Sequence, residues 1–291
     1  MSEPVPLVSI IVNCYNGEKF LAEAINSIYA QTFKSWEIIF WDNASTDSSA
    51  TIAKSYDKKL KYYRAKSTTT LSYARFEAVK KAKGKYLSFL DCDDLWQNDK
   101  LEKQIEIFLQ DSSIAFIYGL TQIIYDDDKK NLIKSEMNII PEKRKLFEGM
   151  IFDQLLIEDF IPFPSVLIDK SKLLECGDFP LNYNHSIDYW IFLNLAKKYN
   201  VRVLKQVCCK YRIHQQNLSN RQLVLCNKEN IRLIESLLPD NRAKNSLKFH
   251  YVALAVAYFK EKKFLNSLLI MFKYGGWKIL ISRILKKTLK S

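Results

Sequence analysis

Glycine is scarce, with seven in 291 residues. None falls into GxGxxG or GxxxxGK[ST], so dinucleotide-binding and P-loop chemistry fail at the motif level. Cysteine is present but unpatterned. The six cysteines, at 14, 92, 176, 208, 209 and 226, form no CxxC pair and no zinc spacing. Reduced structural thiols are therefore expected, with the adjacent Cys208 and Cys209 read as strand residues facing opposite ways. Long apolar runs are missing too. The longest, Tyr251–Phe259, is far short of the roughly 20 residues of a spanning helix. Met1–Leu7 has neither the basic start nor the apolar core of a signal peptide, so the cytoplasm is the expected location. What remains is a chain with 48% apolar residues, enough for a large core in one α/β domain or two joined lobes.

The net charge of +12 is unevenly placed. Residues 240–291 hold ten Lys and two Arg against Asp240 and Glu261. The excess therefore belongs to the tail. Aromatic and aliphatic residues are interleaved there, among them Phe259, Phe264, Leu268, Leu269, Phe272 and Trp277. Such a region suits the surface of an anionic bilayer. Within it, WKILISRILKKTL (277–289) can place Ile281, Ile284 and Leu285 on one helical face. A nucleic-acid patch and an ordinary docking helix are the alternatives.

Short Val/Ile-rich runs alternate with helical spacing along the first hundred residues. Leu7–Asn13 reads as a strand. Phe20, Leu21, Ala24, Ile25 and Ile28 define a helix after it. Strands follow at Trp36–Trp41 and Leu60–Arg64, with a capped helix between them running to about Tyr56. Leu71–Lys83 is a helix closed by Gly84, and an apolar strand from Tyr86 leads to Asp91. This order predicts a mainly parallel sheet with helices on both faces. After about Asp111 the rhythm changes. Ile114–Tyr125 reads as a long strand turning at a solvated acidic tip, 126–130. Ser165–Ile168 is a strand behind Pro162 and Pro164, Asp188–Tyr199 a helix, and Val201–Arg212 a strand.

Asp91-Cys92-Asp93-Asp94 closes the strand that starts at Tyr86. Three carboxylates at the tip of a buried strand repel one another unless a cation lies between them. In α/β proteins ligands bind at the carboxyl ends of strands, and a hard divalent cation bridging carboxylate and phosphate oxygens fits there. A solvated acidic turn before the helix at Leu101–Leu109, with Asp93 or Asp94 as its N-cap, is the other reading.

Three blocks carry a resemblance: VSIIVNCYNGEKFLAEAINSIYAQTF (8–33), WEIIFWDNASTDSS (36–49) and YARFEAVKKAKGKYLSFLDCDDLW (73–96). In order and spacing they resemble the family 2 glycosyltransferases, which have the GT-A fold and use nucleotide-activated sugars. The likeness thins beyond these blocks to about residue 220. It implies a nucleotide site formed by Asn13, Tyr15, Asp42, Asn43, Arg75, Asp91 and Asp93. Asn43 stands where the family often has a second acid, and its amide can still meet a uracil-like base. Phe76 and Thr70 depart from the family's Asn and Gly near Arg75. The resemblance further implies Mn²⁺ or Mg²⁺ held by Asp93, Asp94 and His214, and an inverting transfer with Asp188 as the base. Asp188 as a mere helix cap is the plainer alternative. Tyr189 and Trp190 are candidates to stack on a sugar, while His185 and His250 match nothing.

The expectation is a GT-A fold with a nucleotide-sugar half (1–110), an acceptor half (111–235) and a basic helical region (236–291). The activity expected is metal-dependent transfer from a nucleoside-diphosphate sugar, UDP or dTDP favoured, to a hydroxyl of a glycan or lipid-linked acceptor in envelope polysaccharide synthesis. Peripheral contact with the inner face of the membrane is expected, and nucleic acid is not. An inactive protein that keeps the fold is one rival. A sugar nucleotidyltransferase is another, though NCYNGEK (13–19) lacks the Gly-rich basic loop that class needs.

Overall fold

The computed structural model describes residues 5–126, 139–141, 145–215, 217 and 222–274. The expected acidic tip beyond Asp126 and the amphipathic segment 277–289 lie outside the described residues.

The first half alternates strand and helix: β1 (Val8–Cys14), α1 (Glu18–Tyr29), β2 (Trp36–Asp42), α2 (Ser49–Lys54), β3 (Leu60–Arg64), α3 (Leu71–Lys81) and β4 (Tyr86–Phe89). β1 pairs in parallel with β2 and β4, and β2 with β3. Period-two side chains divide the core between the two faces. Val8, Ile10, Val12, Ile38 and Phe40 pack with Leu21, Ala24, Ile25 and Ile28 of α1. Ile11, Ile39, Trp41, Leu87 and Phe89 face Ala74, Ala78 and Val79 of α3. Both faces are covered, so the strands read as nearly continuous apolar runs. Each fully buried Ile or Leu contributes about 1.5–3 kcal/mol.

Gly84 does not cap α3 as expected. A Cβ there would meet the Ser9 backbone nitrogen at 2.5 Å, so its role is to let the chain pass close to β1.

The second half contains β5 (Leu95–Trp96), α4 (Lys100–Gln110), β6 (Phe116–Tyr125), β7 (Ile139–Ile140), α5 (Phe152–Ile157), a 3-10 turn (Phe163–Ser165), β8 (Leu167–Asp169), α6 (Lys170–Leu174), α7 (Ile187–Lys198) and β9 (Val201–Ile213). The sheet runs β3-β2-β1-β4-β8-β6-β9-β5, with β7 on β6. It is parallel as far as β4. Beyond that β8 is antiparallel to both neighbours, β9 is parallel to β6, and β5 is antiparallel to β9. α4 is capped at Asp99, not at Asp93 or Asp94, because the β5 pairing with β9 intervenes. The expected opposite facing of Cys208 and Cys209 does not hold: β9 bulges where Leu120 pairs with Val207 and Thr121 with Cys209, leaving Cys208 as the extra residue, and both thiols are buried in one core cluster. Cys208 approaches Gly119 and the Ser165 carbonyl, while Cys209 bonds Thr121 Oγ1 at 2.7 Å.

Lys100 joins the two halves. Fully buried, it donates to Ser88 Oγ, Gln104 Oε1 and the Val166 carbonyl, and burial lowers its pKa to about 8.

Three helices follow: α8 (Leu223–Glu235), α9 (Asn241–Lys260) and α10 (Phe264–Lys273). α9 packs Val224 and Ile231 of α8 against Leu254, Ala257 and Tyr258. Its His250 is buried with Nε2 on the Leu156 carbonyl, 2.8 Å away. α10 buries Met271 against Val252 and Ala255. Among the described residues no helix is long and apolar enough to cross a membrane.

Candidate functional site

The loops after β1 and β2 clasp one another at the carboxyl ends of the parallel strands. Asn16, at φ 53°, accepts from Thr46 N through Oδ1, and its own N–H donates to Ser45 Oγ. Asp47 accepts from Glu18 N and Ser49 N, each at 3.0 Å, and so caps α1 and α2 together. Ala44 at φ 66° carries about 1–2 kcal/mol of left-handed strain. The rigid clasp presents Asn13 and Tyr15 to a cleft of about 610 Å³.

Asp91, Asp93, Arg75, Asp188, His214 and Asn217 line the same cleft. Arg75, from α3, is buried, with Nη2 3.2 Å from Asp91 Oδ1 and its guanidinium 4.0 Å above the Phe163 ring. Its Nη1 and the Asn13 amide nitrogen have no hydrogen-bond partner among the described residues. Donors left unmet in a cleft favour an incoming acceptor-rich group, because a buried orphan donor is costly. Asp93 Oδ2 lies 2.8 Å from His214 Nε2. Asn217 braces that pair, donating to the Arg212 carbonyl and accepting from His214 N. Burial and the Asp91 charge raise the Asp93 pKa, and His214 opposes them.

Three expected ligands are not brought into the cleft. Asp94 is fully buried, and its Oδ1 accepts from Arg212 N at 2.8 Å. It ties the end of β9 to the acidic turn, and the assignment of Asp94 as a metal ligand does not fit this placement. Asp42 is also fully buried, bonded to Tyr62 Oη, Arg64 Nη1 and Ser45 N. Asn43 pairs with Thr69 through both ends of its amide: Nδ2 donates to the Thr69 carbonyl, and Oδ1 accepts from Thr69 N. Both amide functions that would read a base are engaged within the chain. Tyr189 is not a stacking platform either. It is buried, and its hydroxyl donates to the Leu155 carbonyl. Trp190 packs on Phe179.

Asp188 sits in the first turn of α7, with Oδ1 accepting from Tyr189 N at 2.8 Å. Burial raises its pKa, the Arg75 charge lowers it and Asp91 raises it further. That turn is held from α8. Glu229 accepts from the backbone N–H groups of Asn184, His185 and Ser186, at 2.8–3.2 Å, and Asn230 accepts from Ser186 Oγ. A carboxylate from a helix more than forty residues on thus braces the turn that carries Asp188.

Sequence reasoning missed Asp159, which lines the cleft and whose pKa burial and the Asp188 charge hold well above the usual carboxylate range. An acid three residues before a Pro-Phe-Pro segment was its one visible signal. His185 also lines the cleft, although its sequence context matched nothing.

Residues 9–171 match the profile described as Glycosyl transferase family 2. The chain is 31% identical over 219 residues to the UDP-Glc:alpha-D-GlcNAc-diphosphoundecaprenol beta-1,3-glucosyltransferase WfgD of Escherichia coli, covering 74% of this chain and 81% of that one. It is 26% identical over 220 residues to TuaG of Bacillus subtilis, a glycosyltransferase assigned by its name to teichuronic acid biosynthesis, with 75% and 83% covered. In fold it resembles Staphylococcus aureus TarS in complex with UDP-GlcNAc, with a TM-score of 0.62 at 18% identity over 89% of this chain and 72% of that one. The mannosyltransferase PcManGT of Pyrobaculum calidifontis, in complex with GDP-Man and Mn²⁺, gives 0.63 at 15% identity over 97% and 81%. A profile spanning more than half of the chain, a relative above 30% identity and the shared sheet agree: the chain belongs to glycosyl transferase family 2, a glycosyltransferase with the GT-A fold.

Proposed function

We propose that this enzyme moves a sugar, with inversion, from a nucleoside-diphosphate donor to a hydroxyl of a lipid-linked or glycan acceptor in cell-envelope polysaccharide assembly. The observation that carries the reading is Asp188 facing Asp91, Asp93 and Arg75 across one cleft. UDP or dTDP is the favoured donor nucleotide, and the named activity of WfgD makes a sugar on a diphosphate-linked polyprenol the favoured acceptor.

In this reading Arg75 Nη1 and the Asn13 amide donate to the donor's diphosphate and nucleoside oxygens. Asp188, whose Oδ1 is engaged by Tyr189 N, takes the proton from the acceptor hydroxyl as that oxygen attacks the anomeric carbon. The bond from that carbon to the diphosphate oxygen breaks on the opposite face. Burial raises the basicity of Asp188, which favours this proton transfer near neutral pH.

A divalent cation fits the donor set present. Among the described residues no group of three or more His, Cys, Asp or Glu side chains is arranged to hold a metal by itself. Asp91 and Asp93, however, offer partly exposed carboxylates beside His214. Mg²⁺-type ions commonly take one or two carboxylates and complete their shell with phosphate and water. Asp93, with Asp91 and His214, would hold the ion. Its chemistry there is to neutralise charge building on the leaving diphosphate.

The C-terminal region supports contact with an anionic bilayer. Phe259, Phe264, Leu265, Leu268, Leu269 and Phe272 are exposed on α9 and α10, among Lys260, Lys262, Lys263 and Lys273. Calorimetric titration of UDP, dTDP, GDP and CDP, with and without Mn²⁺, tests the donor reading. One diphosphate binding only with metal is the expected result, and no binding under any condition overturns it.

A further inference from the structure

Two thiols meet beneath the donor side of the cleft. Cys14 ends β1, and Cys92 stands between Asp91 and Asp93. The parallel ladder ends where Ile11 pairs with Phe89, the Leu90 N–H still reaches the Ile11 carbonyl at 3.0 Å, and the chain then turns at Asp91–Asp94 beside the end of β1. A Cβ placed on Gly17 would be 2.8 Å from the sulfur of Cys14 and 2.8 Å from that of Cys92, so the sulfurs are at most twice that distance apart. Both cysteines are free; Cys14 is buried, whereas Cys92 is half-buried and lines the cleft. Gly17 is what leaves room for the pair, because any side chain there would strike both sulfurs.

We propose that Cys14 and Cys92 are an oxidative modification site, closed to a disulfide by a hydroperoxide that enters the cleft, and that closure shuts the donor site. The second half of this proposal rests on the donor-binding reading above. The thiolate of one cysteine of the pair attacks the peroxide O–O bond, giving a sulfenic acid and releasing water, or an alcohol from an organic peroxide. The other sulfur then displaces the sulfenic oxygen as water, leaving the S–S bond. Two thiols are oxidised, and one peroxide is reduced by two electrons. Closing the bond draws both sulfurs well inside their contact distance. It pulls the segment between Asp91 and Asp93 toward β1, away from the positions that meet Arg75 and His214. Dithiol reductants reverse the step by thiol–disulfide exchange.

The test uses the whole chain, treated with hydrogen peroxide and digested with trypsin. Cys14 and Cys92 fall in peptides 1–19 and 86–100, each with a single cysteine. The expected result is a linked 1–19/86–100 peptide that dithiothreitol separates. With it, affinity for the diphosphate that binds the reduced protein should fall roughly tenfold or more and recover on reduction. Cys14→Ser should bind the diphosphate normally and keep that affinity through the same peroxide treatment. Failure to find the linked peptide overturns the pair. A linked peptide with unchanged affinity overturns the closure, as does an equal loss in Cys14→Ser. If the reduced protein binds no diphosphate, the donor reading fails and closure fails with it, while the linked peptide still decides whether the pair forms.

Discussion

The two halves of the sheet are built by different rules, and the site inherits the difference. From β3 to β4 the strands pair in parallel within a short stretch of chain, and β1, β2 and β3 are each followed by a helix. Beyond β4, neighbours come from far apart: β4 meets β8, and the two-residue β5 meets β9 at Leu95 opposite Lys210. On the donor side Asn13, Arg75, Asp91 and Asp93 are therefore set by local motifs. On the proposed acceptor side Asp159, Asp188 and Glu229 converge from segments that share no local pattern, and His214 reaches Asp93 from equally far along the chain. Binding of the nucleotide should depend on the first group, and transfer on the second.

The sharpest test of that division is Asp188→Asn. Loss of a general base costs about 10²–10⁴ in rate, so transfer should fall by about that factor while diphosphate affinity stays within roughly twofold. Near wild-type transfer in Asp188→Asn would show that another group takes the proton. Arg75→Ala should do the reverse of a pure rate effect. Removing a charge-assisted donor costs about 1.5–3 kcal/mol, so diphosphate affinity measured by calorimetry should drop roughly tenfold to a hundredfold. Unchanged affinity in Arg75→Ala would break the donor assignment.

The same contrast explains what could be read from the chain. The helix carrying Phe20, Leu21, Ala24, Ile25 and Ile28 buries those five residues, because helical periodicity is a local property. Asp94 was legible as an acid but not in its direction. Its burial depends on Arg212, 118 residues away, and no pattern near Asp94 announces that amide. The same holds for Asp42, turned inward by Arg64 and Tyr62 of the neighbouring strand. Glu229 lay in an unremarked helix, and only tertiary packing reveals that it braces the turn before Asp188. Asp159 escaped because a single acid before a Pro-rich turn is usually solvated.

Asp159 gives a smaller effect with a definite pH sign. Its pKa is raised in the folded protein, first by burial and then by Asp188, so the folded state binds that proton more tightly than the unfolded chain does. The stabilising contribution is complete below the unfolded carboxyl pKa and is lost as pH rises through the folded one. Asp159→Asn cannot ionise and still offers an oxygen to Ile161 N. It should therefore be more stable than the parent at pH 8, by about 1 kcal/mol or roughly 2–4 °C in Tm, and lose that advantage near pH 4. Thermal melts at the two pH values decide it. A gain that is the same at both would show that the Asp159 charge is not the cause.

The smallest effect on stability belongs to α10, where the packing logic of both sheet halves is inverted. Leu265, Leu269 and Phe272 are 69%, 59% and 73% exposed, while Met271 supplies the buried contact. A side chain already in water loses little when made polar, and surface substitutions usually stay within about ±0.5 kcal/mol. Leu265→Ser with Leu269→Ser should therefore leave the melting curve nearly unchanged and diphosphate affinity intact. The same change removes apolar area that would enter the headgroup region of a bilayer, at about 25 cal/mol per Å², while the lysines remain. Cosedimentation with phosphatidylglycerol vesicles should weaken in the double variant, and for the parent it should weaken with added salt, since screening acts on the lysines alone. Equal sedimentation of parent and variant would mean that these leucines contribute no membrane contact and that the apolar face of α10 serves another surface.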